Sequence, residues 1–406
     1  MSKIKIAVGL ITFFYALFIF NYPASYYNDD SLFFVRGIES FSVIDFAPHF
    51  PGYPFIVLAG KCLNLFINDA KYSLFILTAS CSIILPSMLF FYTEKILDEK
   101  RAFIIFLISI SSPYLMNFSL AMLSDSVGFV FLFIGLYYLE DKKYKLSGFF
   151  LTISLFSRPS YFIFFLIGLL YISFYKKESL RPVLGSFLLA TTFFMIYIFI
   201  NNGSLYLYEG ERFIQGHFSL WGVGQNSTLS WYENIFSLVN LPYVLLAVSF
   251  FKKSKNLALM KMFFIFYLLW ILFAQNADSL RHLIPLIFIA NILIVNSFYR
   301  FKALLPVILL FNIIYHFNYD AKYSPIDKMR SELEDKKRVI LSNRSIEILR
   351  ESTKKPVVDN FYKDTSNYLM SNKKTYFITT LKPKNGLYRL YNGRFIGEYT
   401  FYRILN

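Results

Sequence analysis

The sequence has few of the residues that metal sites, disulfide frameworks and nucleotide sites require. It contains 2 Cys and 4 His in 406 residues. Cys62 and Cys81 lie in apolar surroundings and form neither a metal-binding pair nor an evident disulfide. The histidines are scattered, without zinc-site spacing. No glycine-rich phosphate loop or other nucleotide-binding signature appears, which argues against a nucleotide-linked substrate.

Charge is also scarce, and this scarcity defines the class of protein. Charged residues make up 17% of the chain, against 56% hydrophobic and 20% aromatic residues, with a mean hydropathy of +0.47. This composition predicts an integral membrane protein. The net charge of +15 mostly follows from basic cytoplasmic loops and a basic tail, so it carries no inference of nucleic-acid binding.

Apolar runs near the length of a membrane span recur through the first 320 residues. They predict an all-α polytopic bundle of about 11 transmembrane helices over 1–320. The run 53–67 is short and carries Lys61 in its middle, so it is interpreted as an interfacial or re-entrant helix. The 11 predicted spans are 6–20, 72–92, 102–118, 122–139, 147–157, 159–175, 183–201, 236–251, 258–275, 280–298 and 302–317.

The distribution of lysine and arginine predicts the orientation, because cytoplasmic loops retain positive charge during insertion. With the N-terminus in the cytoplasm, the inner loops hold most of these residues. Up to residue 320, the outer side holds only six: Arg36, Lys61, Lys71, Arg158, Arg212 and Arg281. We therefore expect a multi-pass protein of the cytoplasmic (inner) membrane with an extracytoplasmic C-terminus. The first run could also be a cleavable signal peptide, although "YPASYY" lacks a small-x-small cleavage pattern.

The character of the chain changes after residue 320, where no later run could span a bilayer. The pattern of residues 321–406 predicts a small extracytoplasmic α/β domain that is stabilised by packing against the membrane bundle. A helix is predicted at 344–352, with Ser342 and Asn343 expected to cap its N-terminus. Strands are predicted at 338–343, 356–359 and 375–381, and a hairpin over 387–405 turns at Asn392-Gly393.

The predicted outer loop 21–71 gathers most of the outer ionisable groups. Carboxylates near a membrane are costly unless solvated or paired, so such groups persist mainly at functional sites. Asp29 and Asp30 diverge by about 100° if helical, so only one can face a given site while the other caps the helix. An equally simple interpretation is that Asp29 and Asp30 are both solvent-exposed residues that cap the start of this helix. His49 has a simple alternative as well, a hydrogen-bonded histidine in a proline-rich turn.

The order of these features resembles the GT-C type of integral membrane glycosyltransferase, which includes protein O-mannosyltransferases and the aminoarabinose transferase that modifies lipid A. An acidic pair follows the first span, then a "HPPxYP"-like turn, here "HFPGYP" (49–54), and a juxtamembrane helix. Asp125 follows the third predicted span. "SRPSYF" (157–162) and "RHLIPL" (281–286) are similar to the family's arginine- and proline-containing span entrances. The resemblance covers about residues 1–317.

The resemblance implies transfer of a sugar from a polyprenyl-phosphate donor to a glycan, lipid or protein acceptor outside the cytoplasm. It implies a general base and cations for the departing phosphate. The implied catalytic residues are Asp29, Asp30 and Asp125, with Asp29 the favoured base. The implied substrate-binding residues are His49, Tyr53, Lys61, Arg158 and Arg281.

Simpler roles exist for several of these residues. Lys61 could extend from an interfacial helix, and Arg281 could pair with Asp278 one turn earlier. A divalent ion bridging Asp29 or Asp30 with His49 is a further option. The outer loop 202–235 is rich in aromatic and amide side chains, which suit glycan recognition and an interfacial belt equally well.

Two other classes of function share the same features. A transporter or flippase of a lipid-linked saccharide would be expected to show repeated halves and charges inside the spans, and the sequence shows no internal repeat. A polysaccharide polymerase or ligase would use the same lipid-linked substrate but depend mainly on outer arginines. The cluster of outer acids favours the transferase.

Overall fold

The structure is a computed structural model. It describes residues 2–221, 231–235, 240, 243, 249–250, 252, 254–301, 304–316, 319, 321–333, 338–360, 375–384 and 386–405. A helical bundle comes first, followed by a small sheet. The helices are α1 (Lys3–Ile19), α2 (Asp29–Glu39), α3 (Pro54–Ile67), α4 (Ala70–Ile96), α5 (Glu99–Ile110), α6 (Pro113–Leu120), α7 (Ser124–Glu140), α8 (Tyr144–Ser157), α9 (Phe162–Leu170), α10 (Arg181–Asn202), α11 (Leu205–Trp221), α12 (Trp231–Ile235), α13 (Ala258–Ala274), α14 (Ile284–Phe298), α15 (Leu304–His316), α16 (Pro325–Arg330) and α17 (Ile346–Thr353).

The membrane-spanning character is clear, but the predicted number of spans is not confirmed. Within the described ranges, five helical segments are long and apolar enough to cross a membrane: Ala70–Ile96, Pro159–Lys176, Arg181–Asn202, Lys255–Ala274 and Leu280–Phe298. Helices α5 and α6 would add a sixth if they form one span, although they are bent by 65°. The bend falls where Pro113 begins α6, since proline cannot continue the preceding helical hydrogen bonds.

The other predicted spans form shorter helices. Helices α1 and α7 have 17 residues each, α8 has 14 and α15 has 13. The predicted run 236–251 lies largely outside the described residues. The run 53–67 forms the 14-residue helix α3. A total of about 11 spans stays a prediction.

The loops predicted to face the cytoplasm meet at one end of the bundle, where ion pairs join them. The pairs are Lys5–Glu94, Lys95–Asp141, Lys142–Glu178 and Lys176–Glu140. Exposed pairs of this kind contribute little stability. They show instead that the ends of α4, α7 and the Pro159–Lys176 segment share one side. Helix α2 and the C-terminal sheet lie at the opposite end.

The C-terminal residues form a five-stranded mixed sheet in the order β2-β1-β3-β5-β4. Strands β2, β1 and β3 are parallel, and β5 runs antiparallel to both β3 and β4. Helix α17 connects β1 to β2. The strands are β1 (Val339–Ser342), β2 (Val357–Asp359), β3 (Thr375–Thr379), β4 (Tyr388–Tyr391) and β5 (Phe401–Ile404).

Two local predictions for this domain are wrong. The connection between β4 and β5 is not a tight turn at Asn392-Gly393, because Tyr391 pairs with Phe401 and all of 392–400 lies between them. This connection buries Arg394, Phe395 and Ile396. The predicted caps of α17 are also used elsewhere: the Ser342 hydroxyl donates to the carbonyl of Arg344, and Asn343 bonds with Thr380. Ser345 precedes α17 without capping it.

The C-terminal domain packs directly on the bundle. Leu32 of α2 belongs to the same apolar cluster as Ile340, Ile348 and Leu349 of the domain. The Tyr27 hydroxyl donates to the carbonyl of Gly397 at 2.9 Å, and Asn117 donates to the carbonyl of Ile396 at 2.9 Å. A domain this small buries limited apolar surface alone, so the bundle supplies part of its core.

Candidate active site

Helix α2 begins with a capping box formed by Asn28 and Ser31. The predicted capping role of Asp29 or Asp30 is therefore wrong, because Asn28 already satisfies the first-turn amide. Asp29 and Asp30 lie in the first turn of α2. Their side chains make contacts with two different parts of the chain.

Asp30 contacts the start of the Leu280–Phe298 segment. Its Oδ2 accepts from Nη2 of Arg281 at 2.7 Å, and its Oδ1 lies 3.9 Å from Nδ1 of His49. Burial alone would raise the pKa of Asp30, but the charges of Arg281 and His49 more than offset this effect and lower it. Arg281 thus pairs with Asp30 rather than with Asp278, which instead pairs with Arg344 at 3.0 Å.

Asp29 contacts the C-terminal domain. Its Oδ1 accepts from the amide of Ile348 in the first turn of α17 at 3.1 Å. Burial raises the pKa of Asp29 to about 6, although the Ile348 amide acts in the opposite direction. Among the described residues, Asp29 has no basic side chain as an ion-pair partner.

Asp125 and Arg158 form a second, more deeply buried pair. The distance from Oδ1 of Asp125 to Nε of Arg158 is 3.2 Å, and their side chains are 3% and 8% exposed. Arg158 also contacts Ser124 and Nδ1 of His282, each at 3.3 Å. A Cβ on Gly128 would lie 2.7 Å from the Cβ of Arg158, so this glycine allows α7 to approach the arginine closely.

His49 and Tyr53 lie in the turn before α3. Nε2 of His49 is 3.1 Å from the Tyr53 hydroxyl, and the His49 ring stacks on Phe213 of α11 with 5.3 Å between centroids. Burial lowers the pKa of His49, with Asp30 opposing. Gly52 has φ of +90° and no room for a Cβ beside Val43 and Phe41, so glycine is required in this turn.

These groups surround one cavity of about 750 Å³. Asp29, Asp30, His49, Tyr53, Arg158 and Arg281 line it. Asp125 lies behind Arg158 and does not line it. Lys61 does not line it either, so the structure does not bring this lysine to the other candidates. Much of the remaining wall is aromatic: Phe33, Phe46, Phe50, Phe162, Phe213, Phe218 and Trp270.

Several lining residues were not predicted. Arg344, Ser345 and Tyr399 come from the C-terminal domain, and His282 adjoins Arg281 in "RHLIPL". Only His282 had a sequence signal, its place in that motif. From the predicted outer loop 202–235, α11 contributes Phe213, Ile214, His217 and Phe218. The amides of that loop at 225–226 lie outside the described residues.

The donor set offers little for a metal ion. In the part of the chain that the structure describes, no group of three or more His, Cys, Asp or Glu side chains could hold one. The pair suggested by the sequence, Asp30 and His49, offers only two donors, and the positive charge of Arg281 already neutralises Asp30.

The apolar helices and the cavity at the predicted outer end define a polytopic membrane protein with an α/β domain over its cavity. No protein-family model and no curated protein matches the sequence. The structure is similar to the crystal structure of ArnT from Cupriavidus metallidurans in the apo state, with a TM-score of 0.51 and 10% identity. The match covers 98% of this chain and 96% of that chain. This match shows that the two chains share a fold.

Proposed function

We propose that the protein is a glycosyltransferase that moves a sugar from a polyprenyl-phosphate donor to a glycan, lipid or protein acceptor on the extracytoplasmic side. One observation carries the proposal. Three arginines of the cavity wall are each paired with an aspartate, namely Arg281 with Asp30, Arg158 with Asp125 and Arg344 with Asp278. Asp29 is the wall carboxyl that lacks such a partner among the described residues.

Asp29 is suited to accept the proton of the attacking hydroxyl. A general base works best when its pKa lies near the operating pH, and burial brings the pKa of Asp29 to about 6. The arginine beside Asp30 has the opposite effect, since it lowers the pKa of that carboxyl. Asp30 is therefore assigned a positioning role, holding Arg281 at the wall.

The arginines are suited to the departing phosphate. When the acceptor oxygen bonds to the sugar carbon, the bond from that carbon to the phosphate oxygen breaks and negative charge grows on the phosphate. Guanidinium groups stabilise such charge through paired, charge-assisted hydrogen bonds. Arg281 is suited to this role, because its side chain lines the cavity beside Asp29 and its Nη2 is held by Asp30.

The aromatic wall is suited to the uncharged parts of the substrates. Phe162, Phe213 and Trp270 line the same cavity as the ionisable groups. Aromatic faces pack against sugar rings and against isoprenoid chains with equal ease. Apolar surroundings also lower the effective dielectric constant, which strengthens charged contacts with the reacting groups.

The test is sugar transfer by the purified protein with a polyprenyl-phosphate sugar donor. Asp29→Asn should lower turnover by about 10²- to 10⁴-fold, the usual contribution of general-base catalysis. Asparagine keeps an oxygen for the Ile348 amide, so folding should be unchanged. Asp45→Asn is the matched control, because Asp45 lies on the same loop, is exposed and does not line the cavity.

The alternatives give different outcomes in the same assay. Wild-type transfer by Asp29→Asn together with loss of transfer by Arg281→Ala would favour a polymerase or ligase that depends on arginines. Movement of a lipid-linked saccharide across vesicles without any transfer would favour a flippase. Either outcome would contradict the proposed role of Asp29.

A further inference from the structure

A second cavity of about 230 Å³ shares no lining residue with the first. It lies among four parts of the chain: the end of α1, the bend between α5 and α6, the end of α15 and the connection between β4 and β5. Its lining residues are Tyr15, Phe18, Tyr22, Ile110, Ser111, Pro113, Met116, His316, Tyr319, Arg394 and Phe395.

Arg394 is the unusual member of this lining, because its side chain is 0% exposed. Its Nη2 and Nε donate to Glu398 at 2.7 and 3.0 Å, and its guanidinium lies 5.3 Å from the centre of the Phe395 ring. Nη1 finds no acceptor among the described residues. A buried nitrogen that donates to nothing is costly. Arg394 lines the cavity, so a small shift of its side chain would let an acceptor in the cavity complete the hydrogen bonding of Nη1.

The cavity adjoins the apolar surface that faces lipid. Phe18 lines it and is 45% exposed, on the same helix as Phe14 at 63% and Leu17 at 50%. On the other side, Ile313 and Ile314 of α15 are 46% and 54% exposed. An occupant can therefore keep an apolar tail among membrane lipids while its polar head reaches Arg394.

These features together specify an amphiphile with an acceptor-rich head. Arginine binds phosphate oxygens especially well through charge-assisted hydrogen bonds. A volume of about 230 Å³ is several times the roughly 30 Å³ that one water occupies in the liquid, so a phosphate group can enter. Glu398 neutralises the guanidinium overall, which leaves Nη1 as a donor rather than as an unpaired charge.

We propose that this cavity binds the phosphate group of a membrane phospholipid, with Nη1 of Arg394 donating to a phosphate oxygen. The lipid would contact the bundle through α1 and α15 and the C-terminal domain through Arg394 and Phe395. It would thus help to hold the domain over the first cavity. This binding does not depend on the sugar-transfer chemistry.

The experiment measures lipid retention by the delipidated, purified full chain with native mass spectrometry and thermal unfolding. The probes are phosphatidylglycerol, diacylglycerol with the same acyl chains, inorganic phosphate and polyprenyl phosphate. We expect phosphatidylglycerol to bind and to raise the unfolding temperature. Equal effects of diacylglycerol or inorganic phosphate, or selective binding of polyprenyl phosphate at this cavity, would overturn the proposal.

Two variants locate the binding. Arg394→Gln combined with Glu398→Gln removes the donor charge and its partner together, so no charge is left buried alone. Met116→Phe keeps Arg394 but reduces the cavity, since Met116 lines it and is 4% exposed. Each should weaken phosphatidylglycerol binding at least tenfold, whereas Phe14→Leu on the adjoining surface should not. Unchanged binding in a folded sample of either cavity variant would refute the site.

Discussion

Two aspartate–arginine pairs lie near the same cavity and differ in their access to it. Asp30 and Arg281, the wall pair, both line the cavity and are 26% and 12% exposed. In the second pair only Arg158 lines it, and Asp125 and Arg158 are 3% and 8% exposed. A partly solvated pair can exchange partners with a substrate at small cost, because water compensates each separated charge. A fully buried pair cannot, since an unpaired buried charge is very costly.

This difference in exposure suggests that one pair can contact the substrate and that the other mainly positions a side chain. Arg281 can turn to a phosphate while Asp30 remains solvated, so the wall pair is suited to a working site. Asp125 does not line the cavity and lies 3.2 Å from Nε of Arg158, so we propose that it acts by positioning that arginine. The resemblance implied a catalytic role for Asp125, but its place in the structure is equally compatible with positioning Arg158. A catalytic role for Asp125 stays a prediction.

The largest expected effect comes from breaking the buried pair. Asp125→Leu should destabilise the folded protein by about 3 to 5 kcal/mol, because it leaves Arg158 buried without its carboxylate. Thermal unfolding in detergent and the yield of folded protein measure this. The double variant Asp125→Leu with Arg158→Met should recover most of the loss, and a double variant no more stable than the single one would contradict the assignment.

The wall pair should behave differently when it is broken. Arg281→Ala should destabilise the protein less than Asp125→Leu, because Asp30 stays partly exposed. It should lower kcat/KM for a polyprenyl-phosphate donor by about 10- to 100-fold, the usual worth of a hydrogen bond to a charged group. Lys61→Ala is the matched control and should show wild-type kinetics, since Lys61 does not line the cavity. An equal fall in kcat/KM in both variants would contradict a specific role for Arg281 at the cavity.

A smaller loss of stability is expected from a substitution that crowds the buried Asp125–Arg158 pair and leaves both residues in place. Gly128→Ala places a Cβ 2.7 Å from the Cβ of Arg158 and 3.0 Å from the Tyr161 ring, so we expect a destabilisation of about 1 to 3 kcal/mol. Gly168→Ala in α9 is the control, because nothing lies within 4 Å of its Cβ position. Equal unfolding temperatures for the two variants would show that α7 can move aside.

The smallest effect concerns pH. If Asp29 is the base, kcat/KM should fall as the pH drops through about 6, by about tenfold per unit below it, because only the deprotonated carboxyl accepts a proton. Asp30, whose pKa is lowered, should stay ionised there and contribute no second break. A profile for the wild type that is flat through this range would exclude Asp29 as the base.

Local properties of the sequence were predictable. Apolar runs predicted membrane helices, because a span needs only enough consecutive apolar residues, and alternating short runs predicted the strands of the C-terminal sheet. The turn around His49 and Tyr53 lies near Asp30 because these residues share one loop. Capping was less predictable: Asn28 caps α2 in place of its aspartates, since neighbouring polar side chains compete for the same amides.

The sequence by itself determined a polytopic membrane protein with acids at one end of its bundle and a small α/β domain after it. Only the tertiary structure decided which charges meet. Asp30 and Arg281 are 251 positions apart, and Asp29 and Ile348 are 319 positions apart. Such contacts depend on how the helices pack and on how the C-terminal domain covers α2. No local pattern encodes these distances, because burial and pairing arise only when distant segments exclude water together.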